Sequence, residues 1–184
     1  MKHFLLLVPL ALLGLSQCKK ADQAPAKPED QLPPATQTGA NTLGCLIDGQ
    51  AWVPGGNYLS DNLSVIYDPG YLGGALQIKA DRYTGPQKQI RQALTFGAAY
   101  VDKAGSYPFA LTGPNGVYYA DDNRDVPCRE FGRWNTVTYQ TGVLTVTRFD
   151  LRAGIIAGTF AFALAQKGCA DTLKITRGRF DHKL

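Results

Sequence analysis

The chain has 184 residues, 45% apolar and 18% charged, with 19 Lys and Arg against 15 Asp and Glu, a net charge of +4. So small a surplus excludes the dense basic stripe of a nucleic-acid-binding surface. There are two histidines, His3 and His182, which excludes a multi-histidine metal centre and leaves any histidine-based nucleophile system resting on His182.

The chain opens with Lys2 and an apolar run from Phe4 to Leu15, stopped by Ser16-Gln17-Cys18. A basic start and an apolar core of this length read as a secretory signal over 1–17. The run is too short for a membrane span, which needs roughly 20 apolar residues. Leu15, Ser16 and Cys18 resemble a bacterial lipobox, in which the cysteine receives a diacylglyceryl group and the signal is cut before it. Gln17 departs from the small residue usual at that place. By the same resemblance Lys19 directs the chain to the outer membrane, on its periplasmic or cell-surface side. Two or three acyl chains on Cys18, at about 0.8 kcal/mol per buried CH₂, make attachment stable. Residues 18–40 hold Pro25, Pro28, Pro33 and Pro34 and no aromatic residue. That composition buries too little apolar surface to order itself, and it reads as a lipid-attached tether.

Residues 41–184 make one domain's worth of chain, enough for a single core. Short alternating or β-branched runs are cut by Gly, Asn, Asp and Pro, and no long helical period appears. Leu43–Pro54 reads as a hairpin, with Asp48-Gly49 supplying the positive-φ pair of a type I′ turn. Strands follow at about Leu63–Tyr67, Ala75–Arg82 and Ile90–Phe96, then a Gly-x-Tyr-Pro corner at Gly105, an Asn115-Gly116 turn and a strand Val117–Ala120. The next stretch alternates through Val137 and Tyr139, breaks at Thr141-Gly142 and resumes. Ile155–Gln166 and Thr172–Asp181 close the chain. The prediction is an all-β fold of about nine to ten strands, an antiparallel sandwich or barrel with little or no helix outside the signal.

Beyond Cys18 there are three cysteines, Cys45, Cys128 and Cys169. An odd count in an oxidising compartment implies one disulfide and one thiol. Cys128 and Cys169 both lie in Gly/Asp/Pro-containing loops near the C-terminal strands, so that pairing is preferred and Cys45 is expected to be buried in a strand. Cys45–Cys169 is the alternative.

"NTLGCLIDGQAWVP" at the start of the domain, with "TGVLTVTRFDLRAGIIAGTFAFAL" and "CADTLKITRGRFD" at its end, resembles a group of uncharacterised Bacteroidota cell-envelope lipoproteins. These share a lipobox, a Pro-rich tether and a single β domain of unknown function. The resemblance implies an envelope location and an all-β fold, and it supplies no catalytic residues.

Chemistry-bearing residues are few. Asp121, Asn123 and Asp125 match the first three ligand positions of a Ca²⁺ loop, but Val126 stands where that loop needs Gly and no Glu closes it. Only Glu130 is a glutamate within 41–184, and nothing proposes the paired carboxylates of a glycoside hydrolase. Aromatic residues crowd the middle of the domain. Tyr118, Tyr119 and Trp134 are candidates to stack on sugar rings or to anchor an envelope protein. Arg148, Arg177 and Arg179 are a candidate anion-binding rim.

The last two arginine-bearing stretches nearly repeat: "LTVTRFD" at Leu144–Asp150 and "LKITRGRFD" at Leu173–Asp181. If the last three strands form a meander, the two copies flank the strand "IIAGTFAFALAQ". Phe160, Phe162 and Leu164 then face the core. Phe149 and Phe180 fall on the wrong parity for the apolar pairs before them, so a bulge is expected near Arg148 and another near Gly178. Both phenylalanines should then be buried at one end, with Arg148, Arg177, Arg179, Asp150 and Asp181 near them.

The expected function is that of an outer-membrane lipoprotein presenting a non-catalytic β binding or accessory domain, with no cofactor. The alternatives are a lipocalin-like carrier holding a small apolar ligand inside a barrel and, behind it, an envelope glycan hydrolase.

Overall fold

The computed structural model describes residues 27–57, 59, 61–132 and 136–184. The signal segment, Cys18, Tyr58 and Trp134 lie outside the described residues. Among the described residues there is no α-helix, and none long and apolar enough to cross a membrane.

Two antiparallel sheets pack face to face. The first holds β1 (Thr42–Ile47), β2 (Gln50–Trp52), β6 (Gly105–Ala110), β9 (Val137–Asp150), β10 (Ile155–Gln166) and β11 (Leu173–Lys183), in the order β2-β1-β11-β10-β9-β6. The second holds β3 (Leu63–Asp68), β4 (Ala75–Thr84), β5 (Ile90–Ala98), β7 (Gly116–Asp121) and β8 (Glu130–Phe131), in the order β3-β4-β5-β7-β8. The fold is therefore a sandwich and not a closed barrel.

Eleven strands are described, against the nine or ten expected. The corner at Gly105 is the start of strand β6. Its Pro108 is tolerated because β6 is an edge strand, where a missing N–H leaves no ladder bond unmade. The expected break at Gly142 is absent, and β9 runs through it. Gly142 pairs with Phe162 on one side and Phe109 on the other, and a Cβ there would lie 2.5 Å from Phe162. The glycine makes room for those two rings, which meet edge to face at 5.5 Å. β8, a two-residue strand against Tyr119, was too short to read.

The core lies between the sheets. Phe160, Phe162 and Leu164 all face inward, with Leu144, Val146, Leu173 and Ile175 beside them, as the parity of β10 predicts. Phe96 of the second sheet meets Phe160 at 4.3 Å, and Phe109 stands edge-on to Phe96 at 6.3 Å. This phenylalanine cluster fills the space a carrier would need for its ligand. The Asp48-Gly49 turn has positive φ at both residues, as expected. Cys45 is fully buried and its thiol is free; burial pushes its pKa up to about 12, against a smaller lowering by Arg82. At that value the thiol is an inert core group.

The repeated line folds largely as expected. β10 lies between β9 and β11, and the register slips at Thr147 in one copy and at Arg177 in the other. Arg177 takes φ +53, and the bulge restores inward parity to Phe180. Phe180 is buried, and Phe149 is half-buried against Tyr67, ring centroids 5.1 Å apart. The arginines are spread differently from the expectation. Arg148 stands opposite Ala157 and Arg179 opposite Thr159, while Arg177 lies on the bulge, past Gly178 toward the middle of β11.

The arginines also have a different occupation. The stretch read as tether is, over 27–40, laid along the outer face of the first sheet. It begins with a short 3-10 helix, Pro28–Gln31. Leu32 is buried, and Pro33 packs on Gly44, where an added Cβ would meet its ring at 2.5 Å. Arg148 donates to the carbonyl of Gln37 and, at 2.8 Å, to Asp150. Arg179 donates to the carbonyl of Glu29 at 3.1 Å, and Arg177 pairs with the Glu29 carboxylate at 3.5 Å. Asp181, only 1% exposed, accepts from the backbone N–H groups of Thr38, Gly39 and Ala40 and from the Thr36 hydroxyl. Burial raises its pKa, but these donors more than offset it and hold the carboxyl below the usual range.

These residues form a clasp on the N-terminal strap. Asp181→Ala is expected to free residues 36–40 at a cost of about 2 kcal/mol, since hydrogen bonds to a charged group are worth about 1.5–3 kcal/mol and the exposed amides regain water. Amide exchange at Thr38, Gly39 and Ala40 reads this out directly: protection retained in the variant would refute the clasp.

His182 is not a frayed tail residue. It sits on β11 opposite Ile156, half-buried, with Nδ1 enclosed and unpartnered. Burial lowers its pKa, against smaller raising effects of Asp181 and Asp61.

Candidate ligand-binding groove

Among the described residues no strap covers the outer face of the second sheet. On that face the pleat aligns Ile66, Gln77, Gly97 and Gly116 in one cross-strand row, and Ser64, Lys79, Thr95 and Tyr118 in the next. Gly97 and Gly116 are direct partners on neighbouring strands, so the surface dips to backbone there. Gly97 is required by crowding: a Cβ would lie 2.5 Å from the carbonyl oxygen of Leu76. Gly116 has open space around it, with no atom within 4 Å of where a Cβ would stand.

Loops from three strand connections raise walls around this dip. Tyr71 and Leu72 come from the β3–β4 turn, Ala99 follows β5, and Leu111, Pro114 and Asn115 come from the β6–β7 loop. Asn115 braces the wall by accepting from the Ala99 N–H at 2.9 Å and donating to the Pro108 carbonyl at 2.9 Å. Gln140 of β9 donates to the Ala110 carbonyl at 2.8 Å and ties the same loop to the first sheet. The result is an open groove of about 570 Å³, inside the range of small-ligand sites.

The lining is distinctive in what it lacks. Among the described residues no Asp, Glu, Lys, Arg or His lines the groove. Tyr71 is 61% exposed, Leu72 44% and Leu111 53%, an unusual grouping of large apolar side chains on a charged protein's surface. Among the described residues the Gln77 amide and the Thr95 hydroxyl have no hydrogen-bond partner in the protein.

Of the residues singled out in the sequence, Tyr118 lines this groove. Tyr119, one place on, points the other way: it is 1% exposed and its hydroxyl donates to Asp121 at 3.1 Å. It belongs to the core and offers a ligand nothing. Arg148, Arg177 and Arg179 are on the opposite sheet, engaged with the strap. Gly97 and Gly116 were missed as site residues, because each reads in sequence as a break or a turn.

The calcium-loop residues are not gathered as a cage. Asp121 turns inward and is 6% exposed. Its carboxylate accepts from the Gln92 amide at 2.7 Å, the Tyr119 hydroxyl, and the Asn123 backbone and side chain. Asn123 and Asp125 line a separate polar hollow where Arg124 already supplies a cation, paired with Asp48 at 2.7 Å. No group of three potential ligands from His, Cys, Asp and Glu stands together among the described residues.

Cys128 and Cys169 form the disulfide, with Cα atoms 5.5 Å apart. It joins the loop before β8 to the β10–β11 turn and so ties the second sheet to the first.

No protein-family model matches the chain, and neither a curated protein nor a solved structure matches it.

Proposed function

We propose that this chain is a non-catalytic binding module of the cell envelope, held to the outer membrane by a lipid on Cys18, with the groove on the second sheet as its binding site. The observation that carries the reading is the groove itself: concave, walled by exposed Tyr71, Leu72 and Leu111, and lined, among the described residues, by no charged side chain. Such a surface costs solubility and contributes nothing to the core, and this favours a partner that covers it. A carboxylate pair is what a hydrolase would need, and none lines the groove. The carrier reading would need a chamber between the sheets, and Phe96 meets Phe109 and Phe160 there.

Gly116→Trp tests the site. The position is open and its backbone is ordinary strand, so the side chain should fill the groove without disturbing the fold. The expected result is that an uncharged apolar dye, Nile red, binds the wild-type protein and that the variant loses at least about nine-tenths of that binding at an unchanged melting temperature. Equal dye binding by both proteins would remove the groove as the site. The anchor is tested separately: incorporation of labelled palmitate should vanish in Cys18→Ala, and label that persists would exclude Cys18.

A further inference from the structure

We infer that the ligand of this groove is a neutral oligosaccharide; the inference rests on the groove being the binding site. Three observations narrow the chemistry.

The first is charge. Among the described lining residues there is no charge to pair with a phosphate, a carboxylate or an amine, so such a group would give up hydration there without an ion pair in return. Anionic lipids, nucleotides and acidic sugars are therefore disfavoured.

The second is the presence of unpartnered polar groups inside an otherwise apolar lining. A purely hydrocarbon ligand would cover the Gln77 amide and the Thr95 hydroxyl and strip them of water with nothing in exchange. A site with such groups selects a ligand that can hydrogen-bond to them.

The third is the floor. It is the outer face of β4, β5 and β7, with β4 paired to β5 and β5 to β7 beneath it. A ligand lying on this face meets side chains rather than a sheet edge, so strand addition is not its mode of binding. Recognition must come from side chains and from close approach to the surface. The Gly97–Gly116 dip allows that approach, and the exposed Tyr71 ring offers a flat apolar face beside it.

A neutral sugar meets all three conditions. Its ring has an apolar face to lie on Tyr71 and equatorial hydroxyls to reach Gln77 and Thr95, and it brings no charge. A 570 Å³ groove open to solvent suits a short run of sugar units entering from the side.

The full-length protein, applied to an array of neutral and acidic oligosaccharides, tests this beside Gly116→Trp and Gln77→Ala. The expected result is binding confined to neutral glycans, abolished by Gly116→Trp and weakened about 5–10-fold by Gln77→Ala, which removes hydrogen bonds without filling space. Nile red binding on the same samples separates the two ideas. Dye bound by the wild type and lost in Gly116→Trp, with no neutral glycan retained, overturns the sugar and leaves the groove. Retention of acidic glycans only, or neutral glycans bound equally by Gly116→Trp, also overturns the sugar assignment. Loss of both dye and glycan binding in the wild type overturns both.

Discussion

Replacing both disulfide cysteines, Cys128→Ser with Cys169→Ser, is expected to lower the free energy of unfolding by roughly 4 kcal/mol. The bridge joins residues 41 apart in sequence, and closing a loop of that length removes much of the unfolded chain's freedom. Its position adds to the effect. The loop before β8 belongs to the second sheet and the β10–β11 turn to the first, so the bridge fixes how the sheets face each other. Gln166, 5% exposed, depends on the same corner: its amide donates to the Pro127 carbonyl at 2.9 Å. For a domain of this size the loss corresponds to about 8–16 °C in melting temperature. Thermal unfolding of the double variant, and of the wild type with and without reductant, measures it. A midpoint that does not move would show that the bridge adds nothing the packing lacks. Cys45→Ser leaves the bridge untouched, so it separates the effect of the bridge from that of the buried thiol.

Asp121→Ala is expected to cost about 4 kcal/mol, because it deprives several buried donors at once. The Gln92 amide and the Tyr119 hydroxyl both lose their acceptor, at about 1–3 kcal/mol each. Gln92 in turn accepts from Trp52 Nε1 at 3.1 Å and Arg82 Nε at 2.8 Å, so the disturbance crosses from the second sheet to β2 of the first. Arg124, stacked over Tyr119 and Phe131, loses a carboxylate 3.8 Å away. Asp121→Asn keeps the shape and half the acceptors, and should cost about half as much.

The pH dependence has a definite sign. Burial raises the Asp121 pKa, but the bonds from Asn123, Gln92 and Tyr119 outweigh it and leave the carboxyl below its ordinary 3.8. Its contribution is therefore present above 3.8 and is lost as pH falls through the lower folded value. In urea denaturation the gap between wild type and Asp121→Ala should be full at pH 7 and shrink below pH 3.8. A gap that stays constant into acid would mean that the carboxylate charge plays no part.

Much of the fold was legible because it rests on local pattern. The alternation of Phe160, Phe162 and Leu164 sets the inner face of β10, and Asp48-Gly49 sets the turn between β1 and β2, with no reference to distant residues. The parity conflict at Phe149 and Phe180 even located the two bulges. What escaped depends on register between strands. Pro108 in an edge strand reads as a corner until the edge is known. Gly142 reads as a break until Phe109 and Phe162 are set on either side of it. The groove escaped for the same reason: Gly97 and Gly116 become one feature only when β5 pairs with β7. The strap was hidden by its composition, which is that of a linker. Its anchors are the backbone N–H groups that Asp181 accepts, and those carry no sequence signature. The Gln92–Asp121 network joins residues 29 apart, and it was equally silent.

The pairing of β1 with β11 also bears on how the molecule comes to be folded. Thr42 lies opposite Asp181, and the strap before it is held by the same terminal strand. The first hairpin, β1 with β2, therefore cannot join the rest of its sheet until β11 arrives. Contacts so far apart in sequence are entropically expensive to close, and a fold that needs them at its centre forms slowly. A nascent chain lacking β11 would carry an unpaired first hairpin, a loose strap and an uncovered edge on β10. It would stay open until β11 arrives to pair with β1 and β10, so the docking of that strand is the step that commits the domain to its native state.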